Sequence, residues 1–88
     1  MLERIEHESR ILELRLARPP VNALSPALVA QLRPALADAA GQGFRALVLS
    51  GAPKIFSGGL DVVELIELDR NGMIAFWGDF FGLMAMLA

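Results

Sequence analysis

The order of three segments limits most strongly which folds are open to this 88-residue chain. Apolar and charged residues alternate over 11–16, which is the period of a half-buried strand. Apolar positions then recur three and four residues apart between Leu28 and Ala40, as in an amphipathic helix. A continuous apolar run over 45–50 is typical of a strand buried on both faces of a parallel sheet. The order predicts an α/β fold with a right-handed βαβ unit.

Shorter signals predict the elements around this unit. A short strand over 5–7 and a polar turn at 8–10 predict that the chain opens with a hairpin. Ser25 and Pro26 predict the start of the helix, because Ser is a preferred N-cap and Pro is tolerated at the first helical position. Pro34 predicts a kink or a lost hydrogen bond inside the helix.

The second half of the chain contains shorter predicted elements. We expect a turn at 51–54, a short strand over 55–57, a helix over 61–68, and a second break at 69–72. Asp61 is expected near the N-terminus of that helix, and a strongly apolar helix follows the second break.

Charge and composition exclude several classes of function. Eight basic residues against ten acidic ones give a net charge of −2, whereas a nucleic-acid binder needs a basic surface. With no cysteine, neither a disulfide nor a cysteine-based zinc site can form, and the single histidine, His7, cannot build a His-rich metal site. We therefore predict no metal site. The charged N-terminus is unlike a secretory signal, and we expect a cytoplasmic protein.

The apolar content is high for so short a chain. Hydrophobic residues make up 55% of it, and the excess lies in 71–88, where Asp79 is the single charge. That segment is too short for a membrane span, and it lacks the basic face of a membrane-surface helix. We predict a core helix that packs against protein absent from this chain, and we expect 1–88 to be the N-terminal segment of one incomplete domain.

The segment 56–61, Phe-Ser-Gly-Gly-Leu-Asp, is the best candidate for chemistry. Two glycines before a helix let the backbone turn sharply, and free N–H groups at such a bend attract negative charge. They would form an oxyanion hole if that charge arose on a thioester oxygen. The alternative is an ordinary Gly-Gly turn before a capped helix. The spacing matches neither a dinucleotide-binding nor a P-loop motif.

Other reactive side chains form no clear pattern. His7 is predicted to be a surface residue of the hairpin, and Glu64 and Glu67 are predicted to be solvated acids rather than a catalytic pair. The aromatic residues of the last helix are predicted to be core; they are Phe76, Trp77, Phe80 and Phe81.

Two segments together resemble the N-terminal part of the crotonase superfamily, the enoyl-CoA hydratase/isomerase family. They are 19–25, Pro-Pro-Val-Asn-Ala-Leu-Ser, and, about thirty residues later, 55–62, Ile-Phe-Ser-Gly-Gly-Leu-Asp-Val. The helix and the apolar strand between them also stand where that family has them. The Ser-Gly-Gly-Leu-Asp form and the aromatic helix after it look most like the Δ3,Δ2-enoyl-CoA isomerase branch.

The resemblance implies a fold and a chemistry. The family fold is a spiral of ββα turns completed by C-terminal helices, and it usually assembles into trimers or hexamers. Its members bind acyl-CoA and stabilise a thioester enolate with two backbone N–H groups. Coenzyme A would enter as part of the substrate, and no separate cofactor is expected.

The resemblance also assigns roles to individual residues. The Leu60 N–H would be the first oxyanion donor. Val21 and Ala23 would lie along the pantetheine and adenine moieties, and the acyl-thioester strip would consist of Gly58, Gly59, Leu60, Asp61 and Val62. Relatives usually carry Ala at the position of Gly58, and we expect this difference to be tolerated.

The second donor and the catalytic Glu of the family would fall beyond Ala88. We therefore expect the N-terminal part of an enoyl-CoA isomerase or hydratase, in which an isomerase would move a proton between C2 and C4, and we expect the chain alone to be inactive. The alternative is a non-catalytic module that binds CoA or a partner protein through the apolar helix 73–87. A third, weaker possibility is that this helix docks on a membrane surface.

Overall fold

The computed structural model describes residues 1–87, and Ala88, the last residue of the expected 1–88 segment, lies outside them. The strands are β1 (Leu2–His7), β2 (Ile11–Leu16) and β3 (Ala46–Ser50). The helices are α1 (Pro26–Gly41), α2 (Val62–Leu65) and α3 (Arg70–Leu87). A 3-10 turn over Glu8–Arg10 joins the first two strands.

The three-stranded sheet has the order β1-β2-β3. Strand β1 pairs antiparallel with β2, and β2 pairs parallel with β3. Helix α1 connects β2 to β3. The predicted hairpin and βαβ arrangement are therefore confirmed, and with them the mixed α/β class.

The core lies between β2, α1 and α3. Alternation in β2 buries Leu12, Leu14 and Leu16 and leaves Glu13 and Arg15 on the opposite face. The residues that meet these leucines are Leu28, Val29, Leu32 and Leu36 of α1, Leu65 of α2, and Phe76 and Leu83 of α3.

Helix α1 begins as its sequence predicts. Ser25 is buried, and its Oγ accepts a hydrogen bond from the Leu28 N–H at 3.1 Å. The helix continues as one element through Pro34, whose ring nitrogen has no hydrogen to donate. The loss of that one backbone hydrogen bond therefore does not end the helix.

Strand β3 differs from its prediction. A strand buried on both faces was expected, but Ala46, Leu47 and Val48 are exposed. The prediction is wrong because β3 is the edge of the sheet formed by residues 1–87, and the buried side chains of α1 pack on the leucines of β2 instead. An apolar run alone does not distinguish a central strand from an edge strand that other protein could cover.

The segment after β3 also departs from its prediction. Residues 55–57 form no strand, because the backbone of 56–61 bonds to the loop before α1 and pairs with it only in the isolated bridge Leu24–Leu60. Helix α2 covers Val62–Leu65, so the prediction of 61–68 is too long.

Helix α3 starts earlier than the predicted second break allows. Asp69 Oδ1 accepts a hydrogen bond from the Gly72 N–H at 2.7 Å, and this stabilises a helix that begins at Arg70. Phe76 is buried, and Trp77 and Phe80 pack against the core, whereas Phe81 is exposed. Of the helices within residues 1–87, none combines the length and apolarity needed to cross a membrane.

Candidate functional site

The structure places two distant segments side by side. We call residues 18–24 the proline loop and residues 56–61 the glycine strip. The Gly58 N–H donates to the Val21 carbonyl at 2.7 Å, and the Leu24 N–H donates to the Gly59 carbonyl at 2.7 Å. The Asp61 N–H donates to the Leu24 carbonyl at 3.0 Å. The residues predicted to line one site are therefore brought together, although the strip is not a strand.

The Leu60 N–H is left unused by this pairing. A parallel bridge at Leu60 engages the Gly59 carbonyl and the Asp61 N–H, which are its two neighbours along the chain. The peptide group between residues 59 and 60 is planar, and its N–H points opposite to its carbonyl, hence away from Leu24. Leu60 is half-buried, and within residues 1–87 its N–H donates to no acceptor.

The two glycines of the strip have different structural reasons to be glycine. Gly59 has a φ of +94°, in the region that L-residues rarely adopt, and a methyl group there would meet nothing within 4 Å. Gly58 would place a methyl group 3.1 Å from Val21 Cγ2. The backbone conformation at position 59 thus requires glycine, and the space beside Gly59 is free, whereas Gly58 packs against the proline loop.

Asn22 organises the loop and was not among the predicted residues. It is only 3% exposed, and its φ of 53° is a left-handed conformation that Asn tolerates better than most residues. Its Oδ1 accepts from the Arg18 N–H at 2.7 Å, and its Nδ2 donates to the Phe56 carbonyl at 3.1 Å. An Asn between a proline pair and a helix cap is a signal for such a turn.

Arg18 joins the loop to the start of α2. Its guanidinium donates to the Ala23 carbonyl at 3.0 Å and lies 2.8 Å from Asp61 Oδ2 and 3.2 Å from Glu64 Oε1. The hydrogen bond from the Glu64 N–H, helped by Arg18, lowers the pKa of Asp61 below its ordinary value. Asp61 therefore stays ionised and bonded at neutral pH, which makes it a poor acid or base.

The other predicted substrate-lining residues have different surroundings. Val21 is 41% exposed and borders Gly58, and Ala23 is half-buried beside Arg18. Val62, the first residue of α2, is 61% exposed. Their contact with a substrate stays a prediction.

A cavity of about 570 Å³ adjoins the proline loop. Pro19, Pro20 and Asn22 line it together with Arg15 and residues 51–53, at the carboxyl ends of β2 and β3. It does not include Leu60. Space for a ligand thus lies beside the loop, and Leu60 lies outside that cavity.

A second polar cluster lies on the outer face of the sheet. Glu13 lies 2.7 Å from His7 Nε2 and 3.3 Å from Arg15, and it also accepts from the Ser50 hydroxyl. The bonds from Ser50 and His7 lower the pKa of Glu13 to about 2. His7 is exposed, as predicted. Serine and histidine both contact the carboxylate here rather than each other, which is not the geometry of a nucleophilic triad.

No group of three or more His, Asp or Glu side chains within residues 1–87 is arranged to hold a metal ion. Glu64 pairs with Arg18, so it is not free to form a catalytic pair with Glu67.

Known proteins share the fold of this chain. The family model described as Enoyl-CoA hydratase/isomerase matches residues 6–87. An enoyl-CoA hydratase/isomerase family protein from Silicibacter pomeroyi is 31% identical with a TM-score of 0.85, over 99% of this chain and 37% of that one. An enoyl-CoA hydratase from Mycobacterium smegmatis is 31% identical with a TM-score of 0.84, over 97% and 34%.

Human mitochondrial Δ3-Δ2-enoyl-CoA isomerase is 24% identical with a TM-score of 0.82, over 93% of this chain and 33% of that one. At that identity the likeness shows a common fold alone, so the isomerase branch stays a prediction. No curated protein sequence matches the chain significantly. The chain spans about a third of the length of these solved structures, whose fold confirms the expected N-terminal part of a crotonase-type spiral.

Proposed function

Because the chain belongs to the enoyl-CoA hydratase/isomerase family, we propose that its glycine strip holds the thioester group of an acyl-CoA, with the Leu60 N–H donating to the thioester oxygen. The observation that carries this proposal is the N–H of the half-buried residue Leu60, which is aimed away from the proline loop and is unused within residues 1–87. An N–H without a partner in the protein is free to donate to a ligand oxygen.

The chemistry needs such a donor. Removing a proton next to a thioester carbonyl moves negative charge onto the carbonyl oxygen. A fixed N–H aimed at that oxygen stabilises the charge without reorganising, and removing one such donor typically costs about 10²–10³ in rate. In an isomerase the charge arises as the proton moves between C2 and C4, and in a hydratase the same charge arises when water adds to C3.

The remaining strip and loop residues would shape the binding surface. Gly59 leaves open space for close approach of the thioester, Gly58 packs against Val21, and Asp61 and Val62 would border the thioester at the start of α2. Val21 and Ala23 would run along the pantetheine and adenine moieties. These roles use the main chain and apolar contact, so they do not distinguish one reaction from the other.

The acid–base group is not assigned to any residue of this chain. Asp61 and Glu64 are held by Arg18, and Glu13 is held by its own cluster. A catalytic Glu and a second N–H donor would come from the other parts of the family fold. We therefore expect no turnover of 3-enoyl-CoA by the 88-residue chain, and measurable turnover would contradict the assignment.

Titration of the ¹⁵N-labelled chain with crotonyl-CoA tests the proposal, with free CoA as the matched ligand that lacks the thioester carbonyl. We expect both ligands to shift the amides of the proline loop, and only crotonyl-CoA to shift the Leu60 amide downfield. If crotonyl-CoA binds and leaves the Leu60 amide unchanged, the N–H does not meet the thioester.

A second candidate function is favoured by the surface of α3. Ile74, Phe81 and Met84 are exposed, and such apolar surface is typical of an association site. The chain would then be a non-catalytic module that binds CoA or protein. In sedimentation, a soluble oligomer of defined size favours this alternative, and aggregation favours an incomplete enzyme. Trimeric or hexameric assembly and a cytoplasmic location stay predictions.

A further inference from the structure

We propose that Asn22 is a positioning residue that fixes the direction of the Leu60 N–H without touching it. Its importance for ligand binding rests on the proposed function, but its effect on the strip can be measured in the free chain. Asn22 lies in the proline loop, nearly buried, beside the first two residues of the glycine strip.

The side chain of Asn22 fastens the strip at its first residue. Its Nδ2 donates to the Phe56 carbonyl at 3.1 Å, and its Oδ1 accepts from the Arg18 N–H at 2.7 Å. One amide group therefore spans the loop and the strip, and it holds both at fixed distances. A buried side-chain amide that uses both of its ends in this way resists rotation, because every other rotamer would leave a buried polar atom unpaired.

The main chain of Asn22 fastens the strip a second time, closer to Leu60. Its carbonyl accepts from the Ser57 hydroxyl at 2.7 Å, and Ser57 Oγ in turn accepts from the Gly59 N–H at 3.1 Å. The hydroxyl thus transmits the position of the Asn22 carbonyl to the peptide group between residues 58 and 59.

The hydrogen bonds through Ser57 Oγ matter most for Gly59. One of its peptide groups is held by Ser57 Oγ, and the other is held by the Leu24 N–H at its carbonyl. Glycine has the widest backbone freedom of any residue, and Gly59 occupies a φ of +94° with open space beside it. If the hold on the first peptide group is lost, the peptide group that carries the Leu60 N–H is held by its neighbours' bonds to Leu24 alone, and its direction is less tightly fixed.

The residue type fits this role. Asn22 has a φ of 53°, and Asn and Asp tolerate that region better than other residues with side chains. The substitution Asn22→Asp therefore preserves the backbone and the shape. At neutral pH it replaces the Nδ2 donor with a carboxylate oxygen that faces the Phe56 carbonyl, so two acceptors meet and the strip is released at that point.

The test compares four ¹⁵N-labelled chains: wild type, Asn22→Asp, Ser57→Ala and Asp69→Ala. Ser57→Ala removes the hydroxyl relay and is expected to fold, because that side chain makes its bonds only within the loop and strip. Asp69→Ala is the control, since it removes a helix cap of α3 that contacts neither segment. Amide hydrogen exchange at Gly59 reports the hold on the strip, and dissociation constants for crotonyl-CoA and free CoA report its consequence.

We expect the Gly59 amide to exchange at least about tenfold faster in Asn22→Asp and Ser57→Ala than in wild type, and to be unchanged in Asp69→Ala once global stability is accounted for. We also expect the two variants to lose the tighter binding of crotonyl-CoA relative to CoA, whereas Asp69→Ala keeps the wild-type preference. A general loss of structure would instead weaken the binding of both ligands.

The outcomes separate the two proposals. A wild-type chain that binds crotonyl-CoA and CoA equally overturns the proposed function, and the role of Asn22 in thioester binding with it. A wild-type preference for crotonyl-CoA that persists unchanged in both variants overturns the positioning role alone, as does unchanged exchange at Gly59. If Asn22→Asp does not fold, Ser57→Ala decides.

Discussion

Adding one methyl group at either of two adjacent glycines should change the free energy of unfolding by different amounts. Gly59→Ala places an L-residue at a φ of +94°, and left-handed conformations cost such residues about 1–2 kcal/mol. Steric contact adds nothing, because the methyl group would meet no atom within 4 Å. We therefore expect the free energy of unfolding to fall by about 1–2 kcal/mol from backbone strain.

Gly58→Ala is the matched control, with the same atoms added one residue earlier. The new methyl group lies 3.1 Å from Val21 Cγ2, but the exposed Val21 side chain can turn aside. The reduced freedom of the unfolded chain, worth about 0.4–1 kcal/mol, offsets much of that cost. We expect a net change within about 0.5 kcal/mol, comparable to an ordinary surface substitution.

Urea unfolding of the wild type and both variants measures the difference. With a slope of about 1 kcal/mol per molar urea, Gly59→Ala should lower the midpoint by about 1–2 M, and Gly58→Ala should leave it nearly unchanged. Equal midpoints for the two variants, or a larger loss for Gly58→Ala, would refute the assignment of backbone strain to Gly59.

Three further results are expected from stability measurements. Ser25→Ala should lower the free energy of unfolding by about 1 kcal/mol in urea, since it removes the N-cap acceptor of the Leu28 N–H. Because the pKa of Glu13 falls from 4.5 to about 2 on folding, its contribution is present above pH 4.5 and is lost as the pH falls from 4.5 toward 2. Glu13→Gln should flatten that part of a pH–stability curve. Arg33 and Asp79 lie 3.3 Å apart on exposed surfaces of α1 and α3, and a double-mutant cycle should give a coupling below about 1 kcal/mol.

Local patterns in the sequence predicted the centre of the fold. The alternation in 11–16 and the helical spacing after Ser25 gave β2 and α1, because burial on one face dictates both periods. The same reasoning failed for Leu47 and Val48, because an apolar strand at the edge of a sheet has the composition of a central one.

The segment 55–57 shows a second limit of sequence reasoning. Its residues favour a strand, yet their partner is an irregular loop, so they bond to it without forming a ladder. The contributions of Asn22 and Arg18 could not be predicted for the same reason. Asn22 bonds to Phe56, 34 residues away along the chain, and Arg18 bonds to Glu64, 46 residues away, and no local period encodes such contacts.

The proposed oxyanion donor is the hydrogen atom on the Leu60 nitrogen. Replacing the peptide bond before Leu60 with an ester bond removes that hydrogen. Semisynthesis of the chain with leucic acid in place of Leu60 exchanges the N–H for an oxygen and keeps the side chain. We expect the affinity for crotonyl-CoA to fall about three- to tenfold, the worth of one net hydrogen bond, while the affinity for free CoA is unchanged and reports an intact loop. Equal affinity of the ester and amide chains for crotonyl-CoA would show that the Leu60 N–H does not bind the thioester.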